Sequence, residues 1–138
     1  MNADCVVVDA NIAFKALAAN RGDLRERLSP AANLKYHSPP FLFIELFKHK
    51  ERLAAAARLN DYELLEALLT LVSGLDFVSE ANSPIGTWME AYRLCRDVDE
   101  KDTPYIALTL HLDGRLWTDD TTLKTTLRAR GFSAFFEP

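Results

Sequence analysis

Two short apolar runs end in acid. Val6-Val7-Val8 leads into Asp9 near the N-terminus, and Arg115-Leu116-Trp117-Thr118 leads into Asp119 and Asp120 near the C-terminus. If both are buried strands of one open parallel sheet, their carboxylates emerge together beyond the strand ends, where such sheets bind ligands. Carboxylates crowded in that way either take up protons or share a hard divalent cation such as Mg²⁺ or Mn²⁺. The plainer reading of Asp9 and Asp120 is that each caps the helix that follows it.

Two further segments offer acids in unusual settings. Glu45 is the charged residue in Phe41-Leu42-Phe43-Ile44-Glu45-Leu46-Phe47, an otherwise apolar helical turn. It either faces a metal, a base or a cleft, or turns outward to pair with Lys48 or His49 at helical spacing. Asp102 precedes a helix, where free amides and the helix dipole favour a carboxylate. Asp99, three residues earlier, shares its side if the helix already begins there; otherwise the stretch from Asp97 to Asp102 is simply solvated.

The elements that must position these acids follow from periodicity. Val6–Val8 reads as a strand, and Asn11 to Ala19 as an amphipathic helix broken by Asn20-Arg21-Gly22. Asp23 can cap a short helix that ends near Leu28 and is closed by Ser29-Pro30. A brief strand is expected around Leu34 to His37, then a helix with Ser38 as N-cap and a proline in its first turn. Glu51 to Leu59 and Asp61 to Val72 form an Ala/Leu-rich helical pair hinged near Asn60. Leu75 to Val78 reads as a strand, Pro84 to Arg96 as a helix capped by Ser83, and Tyr105 to Leu112 as a helix preceded by Thr103-Pro104. Arg115 to Thr118 reads as a strand, Thr121 to Arg130 as a helix stopped by Gly131, and Phe132 to Phe136 as a last strand. Strands separated by helical segments imply an α/β domain around a mainly parallel sheet of about five strands.

Composition bounds the rest. A chain of 138 residues with 49% apolar content suffices for one domain, residues 1–138, with its own core. Cys5 and Cys95 show no zinc or disulfide spacing and read as buried thiols of a reducing cytoplasm. No signal-peptide pattern and no apolar run near the ~20 residues of a membrane span is present, so a soluble, cytoplasmic protein without membrane contact is expected. A formal net charge of −4 argues against broad adhesion to nucleic acid, which rests on excess Lys and Arg, though not against a nucleic-acid substrate. Lys48, His49, Lys50 and Arg52, and then Lys124, Arg128 and Arg130, are read first as solvated helix faces that a phosphate backbone could track past.

In order along the chain stand Val8-Asp9-Ala10-Asn11, Ser38-Pro39 with Glu45-Leu46, Asp102 with Ala107-Leu108, Thr118-Asp119-Asp120, and Gly131 before the final apolar run. This pattern resembles the PIN domain nuclease family over nearly the whole chain. Asp99 to Leu116 also looks like a variant of bacterial members, with Asp-x-x-Asp-x-Pro before an Ala/Leu-rich helix. The resemblance implies a three-layer α/β/α sandwich whose acidic pocket binds one or two Mg²⁺ or Mn²⁺ ions and hydrolyses RNA. It assigns Asp9, Glu45, Asp102 and Asp120 to the catalytic, metal-binding core, with Asp99 a further acid. Asn11 and Thr118 support them by hydrogen bonding to carboxylates or metal-bound water. Asp119 falls at a variable position and merely faces solvent in that scheme. Attack by water with charge on both attacking and leaving oxygens gives 5′-phosphate and 3′-hydroxyl products. Substrate-binding residues are not assigned by the resemblance.

A single-domain member of this kind resembles the toxin of a toxin and antitoxin pair, and the apolar helical pair from Glu51 to Val72 predicts a homodimer. The alternatives are a non-catalytic interaction protein on the same scaffold and a Mg²⁺-binding phospho-acceptor receiver domain. The receiver reading wants an acidic pair after the first strand and a late lysine, and Asp9 stands alone there. A dehalogenase-type phosphatase is weaker, because Asp9-Ala10-Asn11 lacks a second Asp.

Overall fold

The computed structural model describes residues 4–18, 28 and 34–138. The short helix expected after Asp23, and the break before it, lie outside the described residues.

Strand β1 (Cys5–Val8) is buried along its whole length, as a central strand covered on both faces must be. Parallel partners flank it: β2 (Lys35–Ser38) on one side, with Val6 opposite Tyr36, and β4 (Arg115–Trp117) on the other, with Val7 opposite Leu116. The two-residue β3 (Asp76–Phe77) pairs in parallel with β2, giving the order β3-β2-β1-β4. The sheet therefore has four strands among the described residues, where the aromatic run Phe132 to Phe136 predicted a fifth. That segment forms only one parallel bridge, Phe135 with Leu116, because the Phe135 amide turns back to the Ser133 carbonyl at 2.9 Å. Its rings, Phe132, Phe135 and Phe136, go into the core instead.

Seven α-helices flank the sheet among the described residues. Helix α1 (Ala10–Ala18) packs against α2 (Phe41–Lys48), α3 (Lys50–Ala57) and α4 (Asp61–Ser73), whereas α5 (Ile85–Cys95) packs against α6 (Thr103–Leu112) and α7 (Thr121–Ala129). This is the expected α/β sandwich. Helix α6 lies against β1 and β4 and buries five consecutive residues, Tyr105 to Thr109, so it is enclosed nearly all round. Asp113 ends it in the left-handed conformation, φ 51°, and the chain then enters β4 through Gly114. A Cβ on Gly114 would lie 2.6 Å from the Cys5 carbonyl oxygen, so only glycine lets this turn seat beside β1.

The helix starts are partly as expected. Asn60 caps α4 with a full capping box, its side chain accepting from the Glu63 amide while the Glu63 carboxylate accepts from the Asn60 amide. Ser38 does not cap α2: it is the last residue of β2, and its hydroxyl donates to the Val8 carbonyl at 3.3 Å. Glu80 fills that role from a distant 3₁₀ turn, accepting from the Phe41 amide at 3.4 Å. Ser83 does not cap α5 either; Pro84 occupies the N-cap without a side-chain bond, and the Ser83 amide closes the 3₁₀ turn onto Glu80.

Because β1 carries β2 on one side and β4 on the other, the switch point of the topology, where open sheets of this kind bind ligands, lies between the ends of β1 and β4. A receiver would place β3 beside β1, in the order 2-1-3-4-5, which the observed order excludes among the described residues.

Candidate metal centre

The Asp9 amide donates to the Trp117 carbonyl at 3.3 Å, closing the β1–β4 ladder at the point where both strands end. Asp9 and the Thr118-Asp119-Asp120 turn are thereby neighbours by backbone construction. Asp9 is 3% exposed, and its Oδ1 accepts from the Ile12 amide at 2.9 Å in the first turn of α1. The Thr118 hydroxyl also bonds this carboxylate. Burial nevertheless dominates and raises the Asp9 pKa to about 6; the two hydrogen bonds oppose that rise, and the charges of Asp119 and Asp120 add to it.

Asp120 is the N-cap of α7, its Oδ1 accepting from the Leu123 amide at 3.0 Å. Its own amide donates to Thr118 Oγ1 at 3.2 Å, so the buried Thr118 hydroxyl joins Asp9 to Asp120. Capping and clustering are therefore not rival readings of these residues. Each of the two acids caps a helix through one oxygen.

Asp102 stands at the start of α6 without making a side-chain cap bond. Its pKa is raised to about 7, by burial first and then by Asp99, Asp9, Asp120 and Glu45. Acids from four separate segments thus act on one carboxyl group. Glu45 resolves toward the cleft: it is half-buried, and its Oε1 accepts from the Tyr105 hydroxyl at 2.6 Å. Tyr105 itself is buried in α6, and burial, followed by the bond to Glu45, pushes its phenol well above the usual range.

The remaining expected residues lie around this core. Asp99 is exposed and extended, and it caps the 3₁₀ turn Glu100–Asp102 by accepting from the Lys101 amide at 3.0 Å. It does not share a helical face with Asp102, because α6 begins only at Thr103, yet its charge still reaches Asp102. Asp119 does not simply face solvent; it pairs with Lys15 of α1 at 2.6 Å. Asn11 is exposed in the first turn of α1 and makes no side-chain hydrogen bond among the described residues.

Asp9, Glu45, Asp102 and Asp120 have no Lys, Arg or His ion-pair partner among the described residues. They supply only carboxylate oxygens, the donor set of hard divalent cations. Among the described residues no three Asp, Glu, His or Cys side chains already converge at ligand spacing. One oxygen each of Asp9 and Asp120 is turned to a helix amide, and one of Glu45 to Tyr105. Burial raises Asp9 and Asp102 first and the neighbouring acids add to it, a penalty on charge that a bound cation relieves, so donor type and charge both fit Mg²⁺ or Mn²⁺. Tyr105 is the residue that sequence reasoning missed; a tyrosine in place of phenylalanine inside an apolar helix, three residues after Asp102, is the signal that could have found it.

Over residues 7–130 the chain matches the family described as PIN domain. No curated protein matches it.

Proposed function

The chain belongs to the PIN domain family, in general a metal-dependent nuclease fold, and from that premise we propose that it is an Mg²⁺- or Mn²⁺-dependent endoribonuclease. The observation that carries this reading is the convergence of separate segments: the Asp9 amide bonds the Trp117 carbonyl beside Asp120, Tyr105 of α6 bonds Glu45 of α2, and the neighbouring acids add to burial in raising Asp102, with no ion-pair partner for these four acids among the described residues. Asp9, Glu45, Asp102 and Asp120 would hold the ion or ions, with Asp99 within reach and Thr118 fixing Asp9. A divalent ion bound there supplies a lowered pKa for attacking water and positive charge for the phosphoryl oxygens. Thr118 keeps Asp9 and Asp120 at a fixed spacing, and the capped starts of α1 and α7 hold both acids still. No serine or cysteine nucleophile with an adjacent base is part of the proposal. Hydrolysis by water would leave 5′-phosphate and 3′-hydroxyl ends.

The substrate and setting are finer parts of the same proposal. RNA is the substrate in this reading, the cytoplasm its compartment, in keeping with the free thiols of Cys5 and Cys95. No helix among the described residues is long and apolar enough to cross a membrane. The role of toxin beside an antitoxin predicts that expression slows growth and that a small partner copurifies. Self-association would use α2 and α4, where Ile44, Phe47, Leu65 and Leu69 are exposed beside a groove lined by Phe47, Leu64, Leu65 and Leu68. Light scattering that returns the mass of one chain at high concentration would remove the dimer.

The central test is a calorimetric Mn²⁺ titration of the wild type beside Asp102→Asn, followed by incubation of both with single-stranded RNA with and without a chelator. Binding and chelator-sensitive cleavage in the wild type, both lost in the variant, support the proposal. Mn²⁺ binding that is absent, or indifferent to Asp102, would turn the reading to an interaction protein on the same scaffold.

A further inference from the structure

The four acids are not held alike. Asp9 and Asp120 are fixed by the Ile12 and Leu123 amides of the helices that follow them. Glu45 sits in the middle of α2, where every backbone amide belongs to the helix ladder, and its long side chain has no local partner. Tyr105 supplies one from 60 residues away, with a hydroxyl-to-carboxylate distance of 2.6 Å.

Tyr105 meets α2 at two points. Its ring lies edge-on to Phe41 at 6.3 Å, one helical turn before Glu45, and its hydroxyl bonds Glu45 itself. Tyr105 also follows Asp102 by one turn of chain into α6, whose Thr109 hydroxyl bonds the Tyr105 carbonyl at 2.8 Å. Asp102 is the N-cap of α6 and Tyr105 lies in its first turn, so one helix start carries both an acid and the group that bonds Glu45.

We infer that Tyr105 is a positioning residue of the metal centre, holding Oε1 of Glu45 so that Glu45 offers its other oxygen to the cation as a single-oxygen ligand. This rests on the reading of Glu45 as a ligand. The hydroxyl, not the ring, carries the role: phenylalanine would pack against Phe41 equally well, but it would leave Glu45 free to rotate among solvated conformers. Partners of this kind, one bond removed from the ion, typically change metal affinity by about 10- to 100-fold.

The test is Mn²⁺ calorimetry on the full chain for the wild type, Tyr105→Phe, Glu45→Gln and the double variant, with the metal-free melting temperature of each. Tyr105→Phe is expected to weaken Mn²⁺ binding by about 10-fold or more, with the double variant no weaker than Glu45→Gln alone. If the phenol is only a packed core group, Tyr105→Phe lowers the melting temperature and leaves affinity unchanged, and the inference is overturned. Losses that multiply in the double variant also overturn it, because Tyr105 then acts other than through Glu45. Should Glu45→Gln bind Mn²⁺ like the wild type, the reading of Glu45 as a ligand fails, and the inference fails with it by a separate result. A near-ultraviolet tyrosine difference signal on adding Mn²⁺, present in the wild type and absent in Glu45→Gln, provides a readout with Tyr105 intact.

Discussion

Asp102→Asn should make the metal-free protein more stable at pH 8 while abolishing its response to Mn²⁺. The Asp102 carboxyl is raised from 3.8 to about 7, so between those values the folded state binds a proton that the unfolded chain has released. Stability therefore falls as pH rises through that window, and the full cost of ionising Asp102 is present above it. A shift of that size converts to about 4 kcal/mol, which partial exposure and solvent screening reduce to roughly 2 kcal/mol. For a domain of this length that is roughly 6 °C in melting temperature. The assay is a thermal melt of both proteins at pH 5 and pH 8 with a chelator present, repeated with Mn²⁺. At pH 8 without metal, asparagine removes the cost and melts higher; at pH 5 the gap narrows to under about half, because the folded carboxyl is protonated while the unfolded one is still largely ionised, and it closes only below the unfolded value of 3.8. Saturating Mn²⁺, at about 100 times its dissociation constant, adds about 2.7 kcal/mol to the wild type alone, which should offset or reverse the order. A variant that melts at or below the wild type at pH 8 without metal, or that keeps its Mn²⁺ shift, would refute the argument that burial and the neighbouring acids together penalise a charged Asp102.

Two further changes separate the site from its scaffold. Thr118→Val removes the hydroxyl that bonds Asp9 and accepts from the Asp120 amide, and should cost about 1 to 2 kcal/mol in denaturant unfolding. Since that bond lowers the Asp9 pKa, the pH midpoint of Mn²⁺ binding should move upward; an unmoved midpoint would mean that Thr118 does not tune Asp9. Gly114→Ala would drive a Cβ to within 2.6 Å of the Cys5 carbonyl oxygen and should destabilise the fold by about 2 kcal/mol without changing Mn²⁺ affinity in the folded protein. An unaltered denaturation midpoint would show that the β1–β4 contact yields easily.

What could be read from the residues was whatever one segment decides for itself. Val6-Val7-Val8 before Asp9 and Ala10 carries its own strand, turn and helix start, and the structure places β1 and α1 there. Asn60 and Glu63 specify their capping box within four residues. The failures are long-range. Ser38 satisfies the local rule for an N-cap, but it is held in β2 by the Val8 carbonyl, and Glu80 caps α2 from elsewhere in the chain. Phe132 to Phe136 has strand propensity, yet core packing claims its rings and a tight turn at Ser133 removes all but one bridge. Glu45 could not be assigned between cleft and surface, because its partner, Tyr105, is brought near only by the packed fold.

The uncertainty over Asp9 and Asp120 had a different origin, since the two readings were never exclusive. A carboxylate has two oxygens, and the end of a strand beside the start of a helix can engage one of them with an amide. Oδ1 of Asp9 goes to Ile12 and Oδ1 of Asp120 to Leu123. At Asp9 the bond from Thr118 and then the capping bond from Ile12 rank behind burial and do not bring its pKa back to the ordinary range. Capping therefore aims these acids without discharging the repulsion between them. The same arrangement that fixes their orientation leaves a residual demand for positive charge, and no side chain among the described residues meets it by pairing with any of the four. A site that only had to cap two helices would relax on replacing either Asp with Asn or Ser, which cap about as well and bring no charge. Carboxyl groups in all four segments exceed what capping two helices needs, and they are the donors that the proposed cation-binding function would use.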